Sequence, residues 1–180
     1  MKTIHFFYLV IAFTFLIGCK KDTVGPTVTT PTYDVYSSRD VQTSPVYFDF
    51  DIKDTVTVNN DWDIMLKAVP IQGSPYPLPA ILLNEQKNVL GKIINGETFS
   101  SINQTIITEL QSDTVSQSKF VIGTECLGYD MTTHKIKPYE KRTFIIQTTA
   151  NKKVKFQMLS YYSDADPTKF GYMKFEYEVK

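Results

Sequence analysis

The feature that most limits this chain is a run of segments in which apolar and polar residues alternate at period two. The last is the cleanest: Met173, Phe175, Tyr177 and Val179 fall on one side, and Tyr172, Lys174, Glu176 and Glu178 on the other. Alternation of this kind puts one face of a strand into a core and leaves the other outside. Val154, Phe156 and Met158 alternate with Lys153, Lys155 and Gln157, and Phe144–Ile146 lie within a further strand over residues 142–148. Nearer the start, Val46, Phe48, Phe50 and Ile52 alternate with Tyr47, Asp49 and Asp51, and Trp62, Ile64 and Leu66 with Asp61, Asp63, Met65 and Lys67. Asn59-Asn60, Thr149–Lys152 and Asp164–Pro167 carry turn residues between them. Two more strands are expected over residues 80–83 and 87–94, and a short helix or loop over 101–111. The pattern predicts an all-β fold: an antiparallel sandwich or open barrel-like sheet with at most minor helical additions.

A sheet of this kind needs a core, and 12 Phe, 11 Tyr and 1 Trp among 180 residues can supply one. Disulfides do not contribute, because only Cys19 and Cys126 are present and the first has another use. Cys126 is expected to be a buried small hydrophobe.

The N-terminus has the layout of an export signal. Lys2 precedes an apolar run from Phe6 to Ile17, interrupted by Thr14, which is shorter than the 20 or so residues a membrane span needs. It ends in Leu16-Ile17-Gly18-Cys19, which resembles the lipobox of bacterial lipoproteins, with Cys19 as the lipid acceptor. The expected organisation is a signal peptide over residues 1–18, a lipidated tether over 19–32 and a β domain over 33–180. The tether is rich in Thr and Pro, a composition suited to an extended spacer. Lys20-Lys21-Asp22 resembles the short export tag that sends some lipoproteins to the outer face of the outer membrane. Lys2 is the only Lys, Arg, Asp or Glu in the signal, so the 19 basic and 19 acidic residues become a mature charge of −1. That balance supplies no basic face for nucleic acid.

Motifs of catalysis are missing. The mature sequence has one histidine, His134, and no Gly-x-Ser-x-Gly, His-Glu-x-x-His, Cys-x-x-Cys or phosphate-cradling glycine loop. Asp61 and Asp63 flank Trp62 and are expected on one solvated strand face, where such pairs are commonly only surface charge. A binding protein is favoured over an enzyme.

The order Tyr47–Phe50, Asp61-Trp62-Asp63-Ile64 and Tyr129–Pro138, followed by Thr143–Ile146, Lys153–Tyr162 and Gly171–Phe175, resembles the HmuY family of haem-binding lipoproteins. The similarity runs from about Tyr33 to the C-terminus. It implies an all-β lipoprotein that captures haem or a related porphyrin outside the cell and passes it to an outer-membrane TonB-dependent receptor. The resemblance also implies two axial side chains on the iron, histidine or methionine, both sound donors to haem iron. In place of the family's Gly- and Ser-rich loop stands Gln72-Gly73-Ser74-Pro75-Tyr76-Pro77-Leu78-Pro79, whose prolines stiffen it. The alternative reading keeps the fold but gives it a protein, glycan or other ligand.

His134 and Met131, near a polar hairpin tip, are the first candidates for the iron, although a solvated turn histidine fits the same position. Met158 and Met173 are in phase with core residues, where packing explains them better, and Met65 falls on an outer face. Lys135, Lys137, Lys141 and Arg142 could pair with propionates or simply form a charged surface. Asp-Thr-Val recurs at residues 22–24, 54–56 and 113–115 and resembles a threonine O-glycosylation site, though it is also a natural step from turn to strand. If Cys19 is the acceptor, fatty-acid labelling of expressing cells should tag the protein and fail with Cys19→Ser; labelling that persists in the variant would place the lipid elsewhere.

Overall fold

The alternating segments are strands in the computed structural model, which describes residues 32–72 and 76–180. Cys19, the tether and the first Asp-Thr-Val lie outside the described residues. Eleven strands are present among those described: β1 (Asp34–Asp40), β2 (Val46–Asp49), β3 (Asp54–Val56), β4 (Ile64–Val69), β5 (Leu78–Leu83), β6 (Leu90–Asn95), β7 (Gly128–Asp130), β8 (Lys135–Lys137), β9 (Arg142–Gln147), β10 (Lys153–Tyr162) and β11 (Phe170–Val179). Among the described residues the helical content is limited to single 3₁₀ turns, two of which, Phe99–Ser101 and Gln104–Ile106, account for the helical spacing in that stretch.

Three antiparallel sheets form, none closed into a barrel: β1-β11-β10-β9-β6, β3-β2-β4-β5 and the hairpin β7-β8. Inward residues of the large sheet stand in rows, Ile146 beside Val154 and Val179, Phe144 beside Phe156 and Tyr177. The small sheet meets these rows with Phe48 and Phe50. Phe48 sits edge-on to Phe175 with ring centroids 5.5 Å apart, and Phe50 lies 5.7 Å from Phe156. Aromatic pairs of this geometry add about 0.5–1.5 kcal/mol each beyond their buried area. Met158 and Met173 belong to this core, at 5% and 0% exposure, as their phase indicated.

Strand β2 ends sooner than its alternation suggests. The Asp49 carboxylate accepts the Asp51 N–H at 2.7 Å, an Asx turn, and Lys53 adopts φ 60°. The chain therefore turns into β3, leaving Ile52 61% exposed. Asp63 also departs from expectation: it is fully buried, while Asp61 stays outside and pairs with Lys87 at 2.5 Å. The Asp63 carboxylate accepts N–H bonds from Phe50 at 2.9 Å and Thr149 at 2.9 Å, joining the corner of one sheet to the β9–β10 turn of the other.

Lys155 is a further departure, since it lies on the outer face of β10 yet is 3% exposed. Residues 99–102 cover it: Nζ donates to the carbonyls of Phe99 at 3.1 Å and Ile102 at 2.9 Å and pairs with Glu178 at 3.0 Å. Strand β1, which precedes the first clear alternation, pairs with β11 from Asp34 opposite Tyr177. Gly171 admits the turn after β1: its φ is 105°, and a Cβ there would stand 2.4 Å from an Asp40 carboxylate oxygen.

A crossing segment over residues 107–127 closes one edge of each of the two larger sheets. Gln111 exchanges backbone hydrogen bonds with Gly91 of β6, and Gly123 does the same with Ile81 of β5. Buried Asp113 fastens the segment by accepting N–H bonds from Leu83 at 2.8 Å and Val121 at 2.7 Å. The third Asp-Thr-Val thus opens with a structural carboxylate, whereas Thr55 of the second is exposed on β3.

Burial pushes the Asp63 carboxyl up to about 6, against the Thr149 and Phe50 N–H bonds and helped by Asp49 and Asp51. A carboxyl raised in this way binds its proton more tightly folded than unfolded. Its contribution is therefore present below the ordinary value of 3.8 and lost as pH climbs through about 6. Relative to Asp63→Asn, wild-type stability should fall by roughly 2 kcal/mol between pH 4 and 7 in urea unfolding. A gap that ignores pH would show that the carboxyl is not perturbed.

Candidate functional site

The site is built on a bulge. Strand β10 alternates regularly to Met158, then its register with β11 shifts between Met158 and Ser160 and again before Tyr162. The Ser160 hydroxyl accepts the Tyr162 N–H at 2.9 Å across the irregularity. An extra residue reverses the phase of a strand, so Tyr161 enters the core and Tyr162 turns the other way. The Tyr162 hydroxyl then accepts the Ile136 N–H at 3.1 Å, tying the β7-β8 hairpin to the large sheet.

The hairpin is held by its own charges. Asp130 accepts the Thr132 N–H at 2.8 Å and the Thr133 N–H at 3.2 Å and forms an ion pair with Lys137. The Lys137 ammonium, then those N–H groups, hold the Asp130 carboxyl far below the usual carboxylate range. At the tip His134 takes a left-handed φ of 54°. Its Nδ1 lies 2.9 Å from the Tyr129 hydroxyl. Gly128 begins the hairpin because a Cβ there would stand 2.9 Å from the Tyr139 ring, which the Arg142 guanidinium covers at 3.7 Å.

Between this hairpin and its neighbours opens a cleft of about 950 Å³. The hairpin contributes Tyr129, His134, Lys135 and Ile136; the connection from β4 to β5 contributes Ile71, Tyr76 and Pro77, and the start of β5 contributes Leu78. Tyr162, Pro167, Thr168 and Phe170 complete it from β10, β11 and their turn, and Tyr76 meets Phe170 edge-on at 6.1 Å. The size and the apolar, aromatic walls suit a flat organic ligand with few polar groups. Pro79, by contrast, lies within edge strand β5, where a missing N–H is tolerated.

Of the residues singled out from sequence, His134 and Lys135 line this cleft. Met131 is at the same tip but 76% exposed and outside the lining. Met158 and Met173 are enclosed in the core, so packing and not ligation is what the structure gives them. Met65 lies half-buried on β4, opposite Tyr47 and Leu82. Lys137 is engaged by Asp130, and Arg142 by the Glu125 carbonyl at 2.8 Å and Asn95 at 2.8 Å. Lys141 borders a separate hollow of about 350 Å³ beside Tyr33 and Phe99. Cys126 is buried, donates to the Pro79 carbonyl at 3.4 Å and has its thiol pushed up to about 12 by burial. Tyr129, Tyr162 and Phe170 escaped the sequence reading; their signal was only the density of tyrosine around residues 129–172.

No protein-family model matches this sequence, and comparison with curated proteins gives no match. Solved structures do resemble it. The apo HmuY analogue of Tannerella forsythia superposes with a TM-score of 0.53 at 14% identity, covering 83% of this chain and 96% of that one. A candidate lipoprotein of Bacteroides fragilis gives 0.52 at 12% identity, covering 81% and 88%. A candidate HmuY-like haem-binding protein of Bacteroides vulgatus gives 0.52 at 11% identity, covering 81% and 90%. The fold is therefore similar to that of HmuY-like proteins, at low sequence identity.

Tyr162→Phe removes the acceptor for the Ile136 N–H and should cost about 1 kcal/mol. Amide exchange at Ile136 should quicken while that of β9 and the rest of β10 is unchanged; an unaltered Ile136 rate would mean that the hydroxyl does not tether the hairpin.

Proposed function

We propose that this chain is a lipid-anchored haem- or porphyrin-binding protein of the outer membrane, facing the cell exterior, whose cargo lies in the cleft beside the β7-β8 hairpin. The cleft is the observation that carries this reading. A porphyrin needs a slot with apolar walls, a donor for its iron and cations for its carboxylates. Ile71, Leu78, Ile136 and Phe170 supply apolar wall, and His134 is the only imidazole among the described residues. Lys135, exposed at the rim, is placed to meet a propionate, while Lys137 and Arg142 have nearer partners. The shared fold with a HmuY analogue supports a binding role rather than an enzymatic one. Lipid on Cys19 would hold the domain at the membrane, and a TonB-dependent receptor would be the recipient of the cargo.

Bound haem would supply the iron; Ile136, Tyr162 and Phe170 would flank the ring, Lys135 would meet a propionate and His134 would offer the donor. Titration of the purified mature protein with haemin should give a saturable Soret shift. His134→Ala should weaken the affinity and move the Soret maximum of whatever complex remains. Absence of a saturable shift would defeat the reading and leave the cleft to a different ligand.

A further inference from the structure

We infer that the smaller hollow, on the outer face of the large sheet, is a second binding site, shaped for one uncharged pyranose ring. It shares no lining residue with the cleft, so it stands apart from the haem reading.

The hollow measures about 350 Å³ and lies where β10 and β11 set Gln157 opposite Glu176. Tyr33, residues 98–100 and Lys141 wall it. Small-molecule sites occupy roughly 300–1,000 Å³, so this one has room for a single ring. Part of the wall is aromatic and fixed in place. The Tyr33 and Phe99 rings meet edge to face at 4.7 Å. The buried Lys155 ammonium lies 4.9 Å from the Phe99 centroid and 5.5 Å from that of Tyr33. Lys155 is itself held by the carbonyls of Phe99 and Ile102. Rings locked in this way lose little freedom when a ligand packs against them.

The remaining wall carries hydrogen-bonding groups of both kinds. The Gln157 amide donates to one Glu176 oxygen, which leaves the amide oxygen and the second carboxylate oxygen to accept. The Tyr33 and Ser100 hydroxyls and the Lys141 ammonium have no hydrogen-bond partner among the described residues and are left to donate. One cation and one carboxylate thus border the same small space. An anion there would be set against Glu176 and a cation against Lys141. A hydrocarbon would strip water from all these groups and return no hydrogen bond. Sugar hydroxyls both donate and accept, so several on one ring satisfy the mixture while the C–H face of the ring packs on the aromatic wall. An open-chain polyol has the hydroxyls without the flat apolar face.

The test is a titration of the isotope-labelled mature protein, free of haem, followed by amide NMR. The probes are glucose, galactose, mannose and N-acetylglucosamine, each free and as its methyl glycoside. At least one should shift the Ser100, Gln157 and Glu176 amides saturably and leave Ile136, in the cleft, unmoved. Gln157→Ala should weaken that binding about 5-fold, the worth of one hydrogen bond, and Glu176→Ala by more, because its acceptor is charged. Circular dichroism checks the fold of each variant. Binding of the glycoside marks the end of a glycan as the source, and binding of the free form alone marks a free sugar. If no sugar moves those amides, if glycine betaine moves them and no sugar does, or if both variants bind as wild type does, the hollow is not a sugar site. The haemin titration decides the cleft separately.

Discussion

The two sheets are held in register by one buried carboxylate. Asp63 takes its N–H bonds from Phe50 at the end of β2 and from Thr149 in the β9–β10 turn, and no other single side chain described above spans both sheets through two backbone bonds. Aromatic packing between the sheets is strong but nearly directionless, whereas two N–H donors fix position and angle. The arrangement has a cost, since Asp49 and Asp51 bring their carboxylates within 4.8 Å of it, and Lys152, paired with Asp51, offsets part of that charge. The protein tolerates the repulsion because the alternative, two unsatisfied N–H groups in an aromatic core, is worse.

From that frame the cleft follows by short steps. A core of paired aromatics fixes β10, a bulge in β10 sends Tyr161 inward and Tyr162 outward, and the outward hydroxyl holds β8. The hairpin that carries His134 and Tyr129 is thus positioned by a sheet but not absorbed into it. Rigid support behind an exposed tip is the arrangement expected where a loop must present donors to a ligand.

How much of this could be read from the sequence depended on how local the deciding interaction was. Strands β4, β10 and β11 were legible from their alternation, which in β10 holds as far as Met158, and β9 from the apolar run Phe144–Ile146; the buried phase of Val154 and Phe175 followed. Strand β1 was not, since its residues are mostly polar and its place is set by pairing with β11 about 140 residues later. The corner after Asp49 imitates two more strand residues, and an Asx turn overrides the pattern. Lys155 obeyed the alternation in direction and defeated it in environment, because residues 99–102 cover it, whereas Asp63, just before β4, is buried by its bonds to Phe50 and Thr149. At the site, composition pointed to His134 and the hairpin tip; that Tyr129 would be its partner, and that Met131 would miss the cleft, depended on a left-handed residue no periodicity reveals.

The segment over residues 107–127 closes β5 and β6 through only a few backbone contacts, fastened by Asp113. Each closed edge is a ladder of amides that would otherwise recruit a strand from a neighbouring molecule. Both ladders depend on a single stretch of chain, so one cut within it uncovers two sticky borders at once. Wherever many copies of the protein meet, the integrity of that stretch separates a dispersed population from a polymerising one.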